Sequence, residues 1–184
     1  MSALPEHRLH LSLGPVPCVG AVATAPVVLL LSHPVLDARS TAQDYCFRRP
    51  GWPLSALHAD APPGQADWWR GRLEALIDLF GPQHVSNAVA AVFLTPWCSL
   101  AFDDRLRLPS RQRALDLAGK AAARDALMVM LRGENLWTEH PDIASLSTTR
   151  RLHPKSWRVT HINGRNLGED AWSTVCRRIE IHAW

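Results

Sequence analysis

Three continuous apolar runs constrain this chain more than any other feature. They are Pro26-Val-Val-Leu-Leu-Leu-Ser32, Asn87 to Leu94 (NAVAAVFL) and Ala126 to Leu131 (ALMVML). Each is far too short to span a bilayer. Each is also too uninterrupted for a strand with one wet face, and fits a strand buried on both sides. The segments between them carry helical spacing. From Asp67 to Phe80, the residues Trp69, Leu73, Leu76, Ile77 and Phe80 share one face, and Gly81-Pro82 stops the run. Ser110 is placed to cap a second helix with an apolar stripe at Ala114, Leu117, Ala118 and Ala121. A short helix is expected around Asn135 to Glu139. Trp157 to Ile162 (WRVTHI) alternates and reads as a fourth strand. Asn166 and Glu169 then have capping-box spacing before a last helix with Ala171, Val175 and Ile179 on one side. Strands alternating with helices predict an α/β fold: one domain over residues 1–184, three layers α/β/α, with a central, mainly parallel four-stranded sheet.

In such a sheet, ligands bind outside the carboxyl ends of the strands. Four segments leave those ends: Ser32-His33-Pro34, Thr95-Pro96-Trp97, Arg132-Gly133 and Asn163-Gly164-Arg165-Asn166. His33 either orients water or a base, or bonds loop backbone. Asp37 and Asp44, in the long Pro/Gly-bearing segment that follows, either position a nucleophilic water or serve as turn and cap residues. Trp97, behind Pro96, either stacks a base, worth roughly 1–3 kcal/mol, or closes the core. Tyr45 carries the same two readings. Arg132 either binds a phosphate or base edge, or pairs with a loop acid. Asn163, Arg165 and Asn166 open a helix whose amides attract an anion, or form an ordinary capped turn.

Charge adds to this pattern. The net charge is only +3, but the arginines are clustered. Arg150, Arg151, Lys155, Arg158 and Arg165 form one run without an intervening acid, and four arginines lie between Arg105 and Arg113. A single such run reads as a solvated face, and two flanking strand ends either remain solvated faces or bind a polyanion. Several chemistries are excluded by motif. There is no G-x-S-x-G elbow, no phosphate-binding G-x-x-x-x-G-K-S/T and no dinucleotide G-x-G-x-x-G. Cys18, Cys46, Cys98 and Cys176 show no zinc spacing. Cys98 follows Pro96-Trp97, but nothing local activates it as a nucleophile. Neither a metal nor a cofactor is expected. Met1 to His10 holds no basic stretch followed by an apolar one. With scattered cysteines, this predicts a cytoplasmic protein that does not enter the membrane.

A series of motifs resembles the uracil-DNA glycosylase superfamily, in an uncharacterised bacterial branch. It runs Pro15-Val-Pro-Cys-Val-Gly20, Ala25-Pro-Val-Val-Leu-Leu-Leu-Ser-His-Pro34, Gly64 to Trp69 with paired tryptophans, Leu108-Pro-Ser-Arg-Gln112, Val129-Met-Leu-Arg-Gly133 with Trp137, and His161-Ile-Asn-Gly-Arg-Asn-Leu167. In that superfamily the loop after the first strand usually reads Gly-x-Asn-Pro or Gly-x-Asp-Pro, and its polar residue handles the attacking water. His33 stands at that place, leaving Asp37 or Asp44 to supply a carboxylate. A late loop, often His-Pro-Ser-like, enters DNA, and Asn163 to Asn166 is matched to it. The resemblance implies base flipping and hydrolysis of an N-glycosidic bond in DNA, in repair or defence against foreign DNA. Pro34, Tyr45, Pro96, Trp97, Arg132, Asn163, Arg165 and Asn166 would contact the substrate. Two other readings use the same residues: a nucleic-acid or nucleotide-binding module without catalysis, and an adaptor that uses its tryptophans as a protein interface.

Overall fold

The computed structural model describes residues 9–101, 105, 107–156 and 160–182. The three apolar runs form its central strands: β2 (Val27–Leu31), β3 (Val89–Phe93) and β4 (Leu127–Met130), buried at every position. Two very short strands flank them, β1 (Cys18–Val19) and β5 (Arg151–Leu152). The sheet order is β1-β3-β2-β4-β5. β3, β2, β4 and β5 are parallel, and β1 pairs antiparallel with β3. Among the described residues the sheet therefore has five strands, where the sequence predicts four. The predicted fourth strand falls only in part within the described residues. Trp157, Arg158 and Val159 lie outside the described residues, and Thr160 to Ile162 join no ladder. The last parallel strand is Arg151–Leu152, which hydrogen-bonds along β4.

Helices cover both faces, because alternate strand residues point to opposite sides. Val27, Leu29 and Leu31 face one core with Val89, Ala91 and Phe93. That core is closed by α2 (Pro63–Phe80) through Trp69, Leu73 and Leu76, by α3 (Pro82–Ala88) through Val85, and by α8 (Glu169–Ile181) through Val175 and Ile179. Val28 and Leu30 face the other core, which is closed by α4 (Ser110–Ala123) and by α5 (Glu134–Trp137) and α6 (Pro141–Ala144). Burying each such Leu contributes about 1.5–3 kcal/mol. α4 is rich in alanine, and the small side chains at Ala114, Ala118, Ala121 and Ala122 let it lie close to the sheet.

Several element boundaries differ from the sequence reading for local reasons. α2 starts at Pro63, four residues before Asp67, because proline suits the first helical turn, where its missing N–H leaves no bond unmade. Asn87 and Ala88, expected in the second strand, finish α3. Ser110 begins α4 without a side-chain capping bond. The capping role expected of Asn166 belongs to Asn163. Its side chain accepts the Asn166 N–H at the start of α7 (Gly164–Leu167), and Gly168 (φ 88°) separates α7 from α8. No described helix is long and apolar enough to cross a membrane.

Candidate functional site at the carboxyl rim

Because β2, β3, β4 and β5 are parallel, their exits share one rim. At the first exit, proline cannot extend the ladder, and the chain turns at Ser32-His33-Pro34. Ser32 Oγ lies 3.4 Å from His33 Nδ1, and Pro34 is buried. The β2 and β3 exits stay joined beyond the sheet. Thr95 N–H donates to the Ser32 carbonyl (2.9 Å), and Val35 and Ser99 form a parallel bridge.

The loop after Pro34 is held from within. Asp37 Oδ1 accepts the Arg39 N–H (2.8 Å), a local turn bond of the kind aspartate favours. The Arg39 guanidinium then bonds both carboxylate oxygens, at 3.2 and 2.9 Å, and reaches Asp67 at 3.4 Å. These bonds hold the Asp37 carboxyl below the usual carboxylate range and push the Arg39 guanidinium above its ordinary value. Tyr45, at the end of α1 (Ala42–Tyr45), is buried. Its hydroxyl donates to the Val35 carbonyl (2.8 Å) and accepts the Asp37 N–H (3.2 Å). Burial pushes the phenol up to about 12. Tyr45 is thus a packing residue that fixes the loop. Asp44 is engaged elsewhere: Thr41 and Asp44 form a reciprocal capping box, with Asp44 Oδ2 accepting the Thr41 N–H at 2.6 Å. Of the two aspartates, only Asp37 faces the cleft.

That cleft has a volume of about 460 Å³ and is lined by Pro34, Asp37, Arg39, Tyr45, Trp68 and Phe93 among others. Its size suits a small molecule or a single base. The first turn of α2 closes one side at Gly64. A Cβ there would run into the Asp37 carboxylate and lie 2.7 Å from Ser40 Oγ, so any larger residue has to push these side chains aside. One helical turn further along, the Arg72 guanidinium sits 3.5 Å above the Trp68 ring, a cation–π contact. Burial, with a smaller contribution from the like charge of Arg132, pulls Arg72 down to about 10.

The β4 and β5 exits complete the rim. Arg132 leaves β4, its carbonyl accepts the Trp137 indole N–H (3.0 Å), and Gly133 adopts the left-handed conformation that opens α5 (φ 72°). β5 leads into His153-Pro154-Lys155-Ser156, a second strand exit with a His-Pro pair, which sequence reasoning passed over; the chain's other such pair, His140-Pro141, opens α6. His153 Nδ1 lies 3.3 Å from Glu134, beside the Arg132 exit. Lys155 N–H donates to the Asn166 carbonyl (2.6 Å), and Asn166 Nδ2 donates to the His161 carbonyl (2.9 Å). Ile162 N–H donates to the Arg72 carbonyl (2.8 Å), which ties this segment to α2. Asn163 and Asn166 therefore lie beside the β5 exit, and Thr160 to Ile162, which lead into them, join no ladder. Arg165 is exposed on α7.

Pro96 and Trp97 stand apart. They line a separate groove of about 550 Å³ against α4, together with Pro15 and Leu117. Phe93 borders both hollows. Cys98 is fully buried, and burial pushes its thiol up, which keeps it protonated and inert. Asp103 and Asp104 lie outside the described residues. Among those described, no group of three or more His, Cys, Asp or Glu side chains is placed to hold a metal ion. No protein-family model, curated protein or solved structure matches the chain.

Proposed function

We propose that this chain is a DNA-glycosylase-like protein of the uracil-DNA glycosylase type. In this reading it receives an extruded base in the cleft beside Pro34 and acts on its N-glycosidic bond. The observation that carries the reading is the pair of His-Pro exits, His33-Pro34 after the first parallel strand and His153-Pro154 after the fourth. They leave one rim on either side of Arg132. The late loop that enters DNA is then His153 to Ser156, with Asn163 to Asn166 supporting it from behind.

The chemistry follows from the side chains. Water adds to the sugar C1′ as the C1′–N bond breaks; the base leaves with the electron pair and takes up the proton that the water releases. Asp37, ionised at neutral pH, positions the water and stabilises the oxocarbenium-like sugar. His33 precedes Pro34 but does not line the cleft, so in this reading it meets the nucleotide from the edge. Arg132, Lys155 and Arg165 contact flanking phosphates.

One observation favours a second reading, a module that binds DNA without cleaving it: Arg39 occupies both oxygens of Asp37. A single experiment separates the two. Duplex and single-stranded DNA carrying uracil, hypoxanthine or hypermodified pyrimidines is incubated with the protein and assayed for abasic sites. The first reading expects abasic sites that disappear in Asp37→Asn. Salt-dependent binding with no abasic product selects the second.

A further inference from the structure

The groove beside Trp97 belongs to none of the chemistry above, yet it is the more apolar of the two hollows at this end of the sheet. One wall is Pro15, Pro96 and the half-exposed Trp97 ring. The other is a single stripe of α4, in which Ser110, Arg113, Ala114 and Leu117 recur at helical spacing. A slot between a flat ring and a helix accepts a planar group. Its rim carries charge: Arg113 and Lys120 are exposed along the groove, two turns apart, or about 10 Å. Among the described residues the one acid on the wall, Asp116, is held by the Gln112 amide at 2.8 Å. Two cations spaced like the phosphates of about three stacked nucleotides (~3.4 Å each), flanking an aromatic slot, match a single nucleic-acid strand. A greasy peptide would leave both cations without partners.

We propose that this groove is a second nucleic-acid subsite: Trp97 stacks an unpaired base neighbouring the one held in the cleft, while Arg113 and Lys120 hold its phosphates. The inference rests on reading the carboxyl rim as a DNA site. Phe93, buried in the core, is the wall shared by cleft and groove, so the two hollows adjoin across a single residue. The ridge between them is stiff, because the Ser32–Thr95 bond and the Val35–Ser99 bridge lock the two exits together.

The test uses the whole chain with its eight tryptophans labelled at the indole nitrogen, and the Trp97 resonance is assigned with Trp97→Phe. An eight-residue oligothymidylate and an abasic oligomer of the same length are titrated at low salt. The expected result is a shift of the Trp97 indole signal with oligothymidylate but not with the abasic strand. Trp97→Ala should weaken oligothymidylate binding about tenfold. Arg113→Glu with Lys120→Glu, both exposed and safe for folding, should weaken binding of both oligomers. If the Trp68 or Trp69 signals respond while Trp97 stays still, the second subsite is wrong and the cleft reading stands. If Trp97 shifts equally with both oligomers, no base stacks there and the inference falls. If no indole moves and no binding is measured, the inference and the DNA reading fail together.

Discussion

Tyr45 is the chain's only tyrosine, so its ionisation can be followed without ambiguity by ultraviolet absorbance. The structure makes its hydroxyl the fastener of the loop that carries Asp37, through one bond given to Val35 and one taken from Asp37. Tyr45→Phe keeps the ring and its packing and removes both bonds. Each such bond contributes a net 0.5–1.5 kcal/mol, roughly, and here both partners are left in a partly buried place. The expected loss is about 2 kcal/mol, which in a domain of this size lowers Tm by roughly 4–8 °C. The wild-type phenol should titrate near 12, against about 10 in the unfolded chain. Because the folded value is the higher one, the folded state holds the proton more tightly. The stabilisation is complete below about pH 10 and is lost as pH rises through about 12. Thermal unfolding of the variant at neutral pH and an absorbance titration of the wild type test this together. A midpoint near 10 with an unchanged Tm in Tyr45→Phe would refute the claim that this hydroxyl holds the loop.

Four further outcomes are expected. Gly64→Ala should destabilise by about 1–3 kcal/mol in urea unfolding, because its Cβ collides with Asp37 and Ser40. Arg39→Ala should raise the Asp37 carboxyl toward about 3.9, measured by carbon NMR titration, since Arg39 is the main cause of its depression. In the wild type, any acid limb of activity that depends on Asp37 should therefore lie below that value, with activity retained above it. Trp137→Phe should cost about 2–4 kcal/mol in chemical unfolding, because a fully buried ring shrinks and the Arg132 carbonyl loses its donor. Iodoacetamide should modify exposed Cys46 in the native protein and leave buried Cys98 untouched, as read by peptide mass spectrometry.

The central strands were legible because a strand buried on both faces has to be apolar throughout. Val27–Leu31, Val89–Phe93 and Leu127–Met130 fall inside the three apolar runs. The edge strands were not legible, because two residues carry no periodicity. Cys18–Val19 and Arg151–Leu152 are defined by their partners rather than by their own pattern. The alternation in Trp157 to Ile162 suggested a strand, but Ile162 is apolar because it packs in the core against α2, where its N–H finds Arg72. Misplacing that strand hid the His153-Pro154 exit. His-Pro pairs occur at 33–34, 140–141 and 153–154, and the middle one opens α6, so the dipeptide marks a strand exit only once β5 is known. The candidate site was legible in part. His33, Pro34, Asp37 and Arg132 lie at the rim as their positions after strands imply. Trp97 follows a strand in the same way, but its ring goes to the far side of the β3 exit, a choice made by Pro15 and α4 rather than by local sequence.

The claim on which the rest depends is that DNA meets this protein at the carboxyl rim of the sheet. Charge reversal at the two ends of the fold tests it most directly. Lys155 is exposed beside the β5 exit, whereas Arg177 is exposed near the end of α8, next to Arg178, which pairs with Asp125 just before β4. Affinity for single-stranded DNA is measured against salt for Lys155→Glu combined with Arg132→Glu, and for Arg177→Glu. The account predicts that the rim variant loses at least tenfold in affinity and shows a shallower salt slope, while Arg177→Glu binds like wild type. Equal losses at both ends, or wild-type binding by the rim variant, would contradict it.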